Sequence, residues 1–478
     1  MPLLKRRLTT AGASAAMREA ESYAQWFAAA QQRDRETGHY DWRETDDSEH
    51  LNAALMRRDI ADMQQLRQSA RMLELAALLR QSIYRHQGDI ANPHLYRVAF
   101  SGTKQVVDDY LQAVTETLNF LSDSNAPELG AAAKRQLLSD ASRNLGQSAL
   151  LLSGGASMGF FHLGVVKALH GERLLPDTLC GASIGSLMGG GVCSRNDAEL
   201  DELFANPESI YRFGIQFLKP AELLKQKALL NQQQLLECAQ QNVADMTFAE
   251  ATAHSGRHFS VSVSPGRARQ KPQLLSAKTS PDVLIANAIL ASCAIPGVYP
   301  PVSLQSRADG EVSDYLPGEK WVDGTFQGDL PMKRLGRLFN INHFIVSQVN
   351  PHALPFLVSR QSRGLAGLVA DLALSSAQKQ TAQTLKVLQS RVANPTLHNV
   401  MEHGRLLAEQ EYKGDINIHP PLSLWMYRRM LSNPNREDLN RYIRLGEQAT
   451  WPMISQIRHQ TQIQNTVKAC LRKLENQP

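Results

Sequence analysis

A serine flanked by glycines is the feature of this 478-residue sequence with the clearest chemistry. Residues 181–185 read Gly-Ala-Ser-Ile-Gly, directly after the short apolar run 178–180. A G-x-S-x-G pentapeptide between a strand and a helix is typical of a nucleophile elbow, a sharp turn that lifts the serine hydroxyl above a sheet. The helix that follows places backbone N–H groups and a partial positive charge near the serine. The pattern predicts Ser183 as a nucleophile.

A glycine-rich loop precedes this serine. The apolar run 148–152 predicts a buried strand, and Ser-Gly-Gly-Ala-Ser-Met-Gly at 153–159 leads into an apolar helix. Strand, glycine loop and helix also form the dinucleotide-binding motif. That motif requires a third-position glycine where Ala156 stands, and an acidic residue ending the next strand, whereas Asp177 precedes it. The same loop geometry can instead aim backbone N–H groups at an oxyanion.

A candidate base lies far along the chain, where Asp323 and Gly324 end an extended stretch. An aspartate before a glycine is most often a turn residue. A serine–histidine–acid triad is the alternative to a serine–aspartate pair. His343 and His352 follow Asp323, and His162 lies on the helix after the glycine loop. Each histidine also fits a packing or hydrogen-bonding role.

Taken together with Ala-Ser-Cys-Ala-Ile-Pro at 291–296, these motifs resemble the patatin-like acylhydrolase family. The resemblance implies a Ser183 nucleophile and an Asp323 base, without a histidine. It also implies an oxyanion loop and a set of supporting motif glycines. The loop residues are Gly154, Gly155 and Ala156, and the supporting glycines are Gly159, Gly181, Gly185 and Gly324. Met158 stands where many patatins carry a basic residue, and Thr325 replaces the usual Gly or Ala, but neither change removes a reacting atom.

The region before residue 145 resembles the helical domain that precedes the patatin domain in intracellular triacylglycerol lipases. The matching stretches lie at 23–26, 88–96 and 102–104, and the segment 344–352 looks like the same subgroup. The resemblance implies hydrolysis of lipid esters, with triacylglycerol as first-choice substrate. Phospholipid or lysophospholipid hydrolysis and acyl transfer are alternatives on the same site. A catalytically silent lipid-binding protein is the non-enzyme alternative, against which the intact Ser183 and Asp323 argue.

The implied reaction needs no metal and no organic cofactor. Ser183 Oγ would attack an ester carbonyl and form an acyl-enzyme, while Asp323 accepts the hydroxyl proton and returns it to the leaving alcohol. A carboxylate with an ordinary pKa near 4 is a weak base at neutral pH. We therefore expect Asp323 to be buried, because burial raises the pKa of a carboxyl group and improves its match to serine.

The elements that must position these residues form three zones. Residues 1–145 predict a helical domain, with one buried helical face at Val107, Leu111, Val114, Leu118 and Leu121 and a second set at Ile60, Met63, Leu66, Leu73, Leu79 and Ile83. Residues 148–350 alternate strands with helices, with candidate strands at 149–152, 178–180, 258–263 and 343–349. This pattern predicts an α/β catalytic domain of three layers (α/β/α) around a mainly parallel sheet. Residues 351–478 are again mainly helical, with a possible short strand at 416–418.

Composition limits the surroundings in which the protein works. The net charge of +5 does not indicate a nucleic-acid partner, and it would suit peripheral contact with a membrane or lipid-droplet surface. Five cysteines without pair or metal spacing predict free, buried thiols in a reducing compartment. We expect a cytoplasmic protein, because the sequence shows no secretory signal pattern and no apolar run long enough for a transmembrane helix. The sequence leaves the oligomeric state open.

Overall fold

The computed structural model describes residues 12–476 except 86, 227, 267–271, 325–329, 352 and 355–413. The chain divides into two compact units. The first unit combines residues 1–147, 168–174 and 450–478, and the second combines 148–167 and 175–449. Every candidate catalytic and oxyanion-loop residue belongs to the second unit. His352, Thr325 and much of the predicted C-terminal region, residues 355–413, lie outside the described residues.

The first unit is built from helices. They include Tyr23–Thr37, His39–Glu44, Ala53–Gln68, Met72–Ser82, Gln105–Asp123, Ala131–Leu145 and Ile454–Glu475, with 3-10 turns at Gln87–Asp89, Pro93–Tyr96 and Trp451–Met453. The spacing of apolar residues on the Gln105–Asp123 helix puts one continuous face into the core. All five positions predicted for that face are buried, as expected. Ile463, Val467 and Cys470 of the last helix pack into the same core.

The second predicted apolar face is wrong at one position. Met63, Leu79 and Ile83 are buried, but Leu73 is exposed. The helix begins at Met72, so Met72, Leu75 and Leu79 recur on its inner face and Leu73 lies on the outer one.

The second unit is organised around one mixed, mainly parallel sheet. The strands are β1 Gln147–Leu152, β2 Thr178–Gly181, β3 His258–Pro265, β4 Gln273–Ser276, β7 Trp321–Asp323, β8 Ile341–Ser347 and β9 Ile416–Ile418. Their order is β4-β3-β2-β1-β8-β9, and β7 also pairs with β3. β1, β2 and β3 are parallel neighbours, as are β8 and β9, whereas β4 and β7 run antiparallel to β3. A strand is found at each predicted position, although β8 covers 341–347 and not the predicted 343–349. The sequence analysis missed β4.

Helices cover both faces of this sheet. Ala149 and Leu151 of β1 point to one face, where they share a core with Leu335 and Phe339 of the Met332–Phe339 helix. Leu152 and Phe259 lie beside Gly189 of the Ile184–Cys193 helix on the other face. A sheet buried on both faces needs apolar residues at consecutive strand positions, which explains the uninterrupted Leu150–Leu152 run. The predicted α/β fold with helical layers around a mainly parallel sheet is confirmed.

The remaining elements of the second unit connect or extend this core. The helices are Phe161–Gly171, Ile184–Cys193, Asp197–Ala205, Pro220–Gln226, Gln232–Asn242, Phe248–Ser255, Ile285–Ser292, Met332–Phe339, Leu424–Arg429 and Arg436–Thr450, with 3-10 turns at Ala156–Phe160 and Pro207–Ser209. A separate hairpin joins β5 Gln305–Ala308 to β6 Glu311–Asp314. Among the described residues, no helix combines the length and the apolar character needed to cross a bilayer.

Candidate active site

Ser183 occupies a strained turn between β2 and the Ile184–Cys193 helix. It is the N-cap of that helix, with φ 51° and ψ −127°. A positive φ is uncommon for a residue with a side chain and costs roughly 1–3 kcal/mol, so it persists only where the surroundings enforce it. The residue is 8% exposed. The backbone therefore has the sharp strand-to-helix geometry that the G-x-S-x-G pattern predicts.

The glycines of this motif are explained by backbone contacts. A Cβ on Gly185 would lie 2.1 Å from the carbonyl oxygen of Leu152 at the end of β1. A Cβ on Gly181 would lie 2.4 Å from the carbonyl oxygen of Gly185. Only glycine lets the elbow close this tightly against the neighbouring strand.

A hydrogen-bond relay from β3 fixes the strained serine. The Ser183 N–H donates to Ser292 Oγ at 2.9 Å, and the Ser292 hydroxyl donates to the Ser262 carbonyl at 2.8 Å. The Ser186 hydroxyl donates to the Ser183 carbonyl at 2.5 Å. Ser292 therefore positions the backbone of Ser183, a role that its place in the 291–296 motif did not reveal.

Asp323 is the last residue of β7 and is fully buried at 0% exposure. It pairs with Val263 on β3, and its N–H donates to the Ala294 carbonyl at 3.0 Å. A Cβ on the following Gly324 would lie 2.4 Å from the Ser262 carbonyl oxygen, so the Asp-Gly pair packs directly onto β3. The aspartate is thus a strand residue held in a fixed place, and its expected burial is confirmed.

Cys293 links the two predicted catalytic residues. Burial raises the pKa of its thiol, and the nearby Asp323 carboxylate raises it further. The hydroxyls of Ser183 and Ser186 act in the opposite direction and lower that pKa. Ser183 is hydrogen-bonded to Ser292 and Asp323 to Ala294, so the structure brings the two residues to either side of Cys293, although they are distant in sequence. Cys293 is a site residue whose place the sequence analysis did not recognise.

The glycine loop lies at the same edge of the sheet as the elbow. Gly154 and Gly155 follow β1, and Ala156 begins a 3-10 turn with φ 48°. A Cβ on Gly155 would lie 2.7 Å from Val349 Cγ2, and one on Gly159 would lie 2.3 Å from Ile184 Cγ2. Gly159 thus packs directly against the residue that follows Ser183. β1 and β2 are parallel, so the loops at their carboxyl ends converge there.

His162 holds this loop in place. Its Nε2 lies 3.0 Å from the Ser153 carbonyl oxygen and its Nδ1 lies 2.7 Å from Ser347 Oγ. Burial lowers the pKa of His162 to about 4, so the ring is neutral at physiological pH. With both ring nitrogens engaged, His162 acts as a bridge between the glycine loop and β8.

His343 lies at the opposite end of the sheet from the elbow. Its Nδ1 is 2.9 Å from the hydroxyl of Ser148, near the start of β1. The glycine loop begins after Leu152, which lies four residues further along the strand, or roughly 13 Å at about 3.3 Å per residue. This placement separates His343 from the loop that accompanies Ser183. His352, the remaining histidine considered for a triad, is not among the described residues.

The described part of the site holds no cluster of side chains suited to a metal ion. Within the described ranges, no group of three or more His, Cys, Asp or Glu residues could hold an ion. All five cysteines are buried free thiols, as the sequence predicts.

Two family models match this chain in succession. The model described as "Patatin-like phospholipase" matches residues 150–335, which include the elbow, the glycine loop and Asp323. The model described as "Domain of unknown function (DUF3336)" matches residues 4–143. The chain therefore carries the two domains in the order that its motifs predict.

Several curated proteins are similar over almost the whole chain. Triacylglycerol lipase ptl3 of Schizosaccharomyces pombe is 30% identical over 473 residues, which cover 96% of each protein. Triacylglycerol lipase 5 of Saccharomyces cerevisiae is 30% identical and triacylglycerol lipase SDP1L of Arabidopsis thaliana is 29% identical, each over 96% of this chain. The chain spans only 64% and 58% of the length of these two longer relatives.

Proposed function

Because this chain belongs to the patatin-like phospholipase family, we propose that it is a serine acylhydrolase that cleaves fatty-acyl esters of triacylglycerol. The observation that carries the proposal is that the strained Ser183 and the buried Asp323 are hydrogen-bonded to Ser292 and Ala294, the two residues that flank Cys293. A nucleophile and a carboxylate held at one buried point, beside a glycine loop, form the arrangement that acyl transfer requires. Lipid ester hydrolysis is the activity of this family.

The proposed reaction proceeds through an acyl-enzyme. Ser183 Oγ bonds to the ester carbonyl carbon while its proton passes to the Asp323 carboxylate. The carbon–oxygen bond to the glyceride then breaks, and the leaving alcohol takes up that proton. Water repeats the sequence, with its proton accepted by Asp323 and delivered to Ser183 Oγ as the fatty acid departs. Full burial of Asp323 removes the water that would otherwise compete for its oxygens.

We assign stabilisation of the oxyanion to the glycine loop. Ala156 heads its 3-10 turn, so the N–H groups at its start have no carbonyl partner inside that turn. Among the described residues, no acceptor is found for the amides of Gly155 and Ala156. Gly154 stands before them in the same loop, at the edge of the sheet where the elbow lies. Donors held in advance for a developing negative charge supply about 3–4 kcal/mol each in acyl-transfer enzymes.

Triacylglycerol is the proposed substrate because the relatives that match most of this chain carry that name. Phospholipid is the second candidate, because the family model over residues 150–335 is described as a phospholipase. The five buried thiols support action in the reducing environment of the cytoplasm.

The first test compares purified wild type with Ser183→Ala for fatty-acid release. The substrates are emulsified triacylglycerol, diacylglycerol, phosphatidylcholine, lysophospholipid and a short-chain p-nitrophenyl ester. We expect release by the wild type, with triacylglycerol preferred, and a loss of at least about a thousandfold in the variant. Activity that survives Ser183→Ala would contradict the nucleophile assignment.

A serine-reactive fluorophosphonate probe provides the second measurement. The wild type should be labelled at Ser183, and Ser183→Ala should not. A folded wild type that neither labels nor releases fatty acid would instead be a lipid-binding protein. Labelling without release would indicate an acyltransferase that lacks its acceptor.

A further inference from the structure

Six large apolar side chains are exposed on two segments of the second unit. They are Phe213, Phe217, Leu229, Leu422, Leu424 and Leu431, which we call the apolar rim. Phe217 is 64% exposed, Leu424 67% and Leu431 55%. Side chains of this size are normally buried, and a group of them on one surface marks an interaction site. None of the six belongs to the proposed catalytic machinery.

One segment of the rim is fastened to the glycine loop. The Ser157 N–H donates to the Met430 carbonyl at 3.1 Å, and the Ser157 hydroxyl donates to the Ser432 carbonyl at 2.7 Å. Leu431 stands between these two acceptors, and Ser157 directly follows Ala156. Both neighbours of Leu431 therefore accept hydrogen bonds from Ser157, the residue next to the proposed oxyanion loop.

The other segment, which contains Leu229, is hydrogen-bonded to Val298, a residue that follows the loop that carries Cys293. The N–H groups of Leu229 and Leu230 both lie 3.0 Å from the carbonyl oxygen of Val298. Phe217 forms an antiparallel bridge with Leu230, so it stands on the neighbouring strand-like segment. Val298 follows the 291–296 motif closely in the chain. Backbone hydrogen bonds to Val298 thus connect the rim to the chain that follows the Cys293 loop.

The two segments are also joined to each other. The Ile215 N–H donates to Asn433 Oδ1 at 2.9 Å, and Asn433 Nδ2 donates back to the Ile215 carbonyl at 2.7 Å. Ile215 lies between Phe213 and Phe217 in the chain. This reciprocal pair joins the two segments of the apolar rim, one of which is hydrogen-bonded to Ser157 of the glycine loop and the other to Val298, after the Cys293 loop.

The two segments of the rim themselves carry an excess of positive charge. Segments 211–231 and 422–436 contain seven Lys and Arg residues and one acidic residue, Glu222, whereas the whole chain has 51 Lys and Arg against 46 Asp and Glu. Arg428 is exposed, and Arg429 and Arg436 are half-exposed or more even though they pair with Asp438 and Glu208. Exposed apolar side chains with cations beside them are suited to a lipid layer, whose interior is apolar and whose headgroups can be anionic.

We propose that the apolar rim is the surface by which this enzyme docks on a lipid layer that contains anionic phospholipid. The proposal rests on the proposed function, because a lipase must receive its substrate from the lipid phase. Docking at the rim would place the glycine loop and the Cys293 loop beside that phase. Phe217, Leu424 and Leu431 enter the acyl region, while Arg428 and its neighbouring cations contact anionic headgroups.

Vesicle flotation tests this proposal with the full chain. The apolar variant is Phe217→Ser/Leu424→Ser/Leu431→Ser, and the charge variant is Lys219→Gln/Lys225→Gln/Arg428→Gln. We expect the apolar variant to lose about tenfold or more in binding to vesicles of phosphatidylcholine and phosphatidylserine. For the charge variant, we expect the ratio of binding to phosphatidylserine-containing vesicles over pure phosphatidylcholine vesicles to fall by about fivefold for each cation removed.

Matched controls separate docking from general surface apolarity. Leu73 is 57% exposed and Val312 is 51% exposed, both away from the rim segments in the chain. Leu73→Ser and Val312→Ser should leave flotation unchanged. Flotation of the apolar variant equal to that of wild type, or an equal loss in the controls, would overturn the proposal.

Two ester substrates distinguish failure of docking from failure of the proposed function. The apolar variant should hydrolyse a short-chain p-nitrophenyl ester in solution at the wild-type rate, and emulsified triacylglycerol at least about tenfold more slowly. That unchanged rate also shows that the variant is folded. A wild type inactive on both esters would refute the proposed function, while flotation would still decide the docking surface.

Discussion

Ser183 has an unfavourable backbone conformation that neighbouring residues hold in place. Its positive φ would relax in an isolated peptide, but the hydrogen bond to Ser292 and the close contact of Gly185 with Leu152 hold it. The same constraints present its hydroxyl at the N-terminus of the Ile184–Cys193 helix. This setting supports the proposed role of Ser183 as the nucleophile.

At the residue scale, the role of Asp323 can be tested by removing only its charge. Asp323→Asn keeps the shape of the side chain but cannot accept the serine proton, so we expect kcat to fall by about a thousandfold. The measurement is steady-state hydrolysis of a p-nitrophenyl ester. Asp314→Asn, on the exposed strand β6, is the control and should retain full activity. Mild loss in Asp323→Asn together with severe loss in His343→Ala would favour a histidine triad instead.

At the scale of elements, β3 organises the site. Its Ser262 carbonyl accepts the Ser292 hydroxyl and closely contacts Gly324, and its Val263 pairs with Asp323. β3 also lies beside β2, which leads to Ser183. The register of one central strand therefore sets the positions of both proposed catalytic residues.

Ser292→Ala tests this organisation. The substitution leaves the Ser183 N–H without its acceptor in a buried place, which costs about 1–3 kcal/mol of unfolding free energy. We expect kcat to fall by about tenfold as well, because the elbow loses the support of its strained geometry. Denaturant unfolding and ester hydrolysis provide the two readings. Ser313→Ala on β6 is the control, and unchanged kcat in Ser292→Ala would remove Ser292 from the positioning role.

The bridge from His162 to the glycine loop predicts a dependence of stability on pH. The pKa of His162 is about 4 in the folded protein, below the ordinary value near 6.5 in an unfolded chain. As pH falls from 6.5 to 4, the unfolded state gains a proton that the folded state does not. The contribution of this neutral histidine to stability is therefore complete above pH 6.5 and declines by about 1.4 kcal/mol per pH unit below it.

Unfolding free energies measured between pH 7 and pH 4 test this effect. His162→Gln should show a shallower acid decline than the wild type, by about 3 kcal/mol over the whole range. The exposed His50→Gln should keep the wild-type slope. Equal slopes of unfolding free energy against pH in wild type and His162→Gln would contradict a His162 ring that is buried and neutral in the folded protein.

At the scale of the whole molecule, the chain forms two units with separate cores. The first has a helical core that draws on both ends of the chain, and the second has the sheet and all of the proposed chemistry. In the first unit, the buried Asp34 accepts hydrogen bonds from the N–H groups of Phe100 and Ser101 and from the Ser101 hydroxyl. This carboxylate ties the Tyr23–Thr37 helix to the segment before the Gln105–Asp123 helix.

Asp34→Ala should therefore affect stability and not chemistry. Removing an acceptor that serves three donors should lower the free energy of unfolding by about 3 kcal/mol. Hydrolysis of a short-chain ester by the folded variant should remain at the wild-type rate, since the proposed site belongs to the second unit. Asp41→Ala, at an exposed position, should cost less than about 0.5 kcal/mol. A large fall in kcat for Asp34→Ala would contradict this separation.

The sequence alone determined the features that are encoded locally. The elbow at 181–185, the glycine loop after β1 and the inner face of the Gln105–Asp123 helix could be predicted because a few neighbouring residues decide them. Glycine is required where backbones approach closely, and apolar spacing fixes which side of a helix faces the core. Leu73 shows the limit of this reasoning, because the chain breaks between the helices that end at Gln68 and begin at Met72, and the apolar spacing of the first helix does not continue into the second.

Only the tertiary structure decided which distant segments meet. The placement of Ser183 and Asp323 on either side of Cys293, and the support that Ser292 gives to Ser183, depend on strand register. The packing of Ile463 and Val467 into the N-terminal core depends on helix packing. The hydrogen bonds that connect the apolar rim to Ser157 and to Val298 likewise join segments that are distant in the chain. Such contacts join residues far apart in the chain, and local sequence preferences carry no information about which of many compatible partners will pack together.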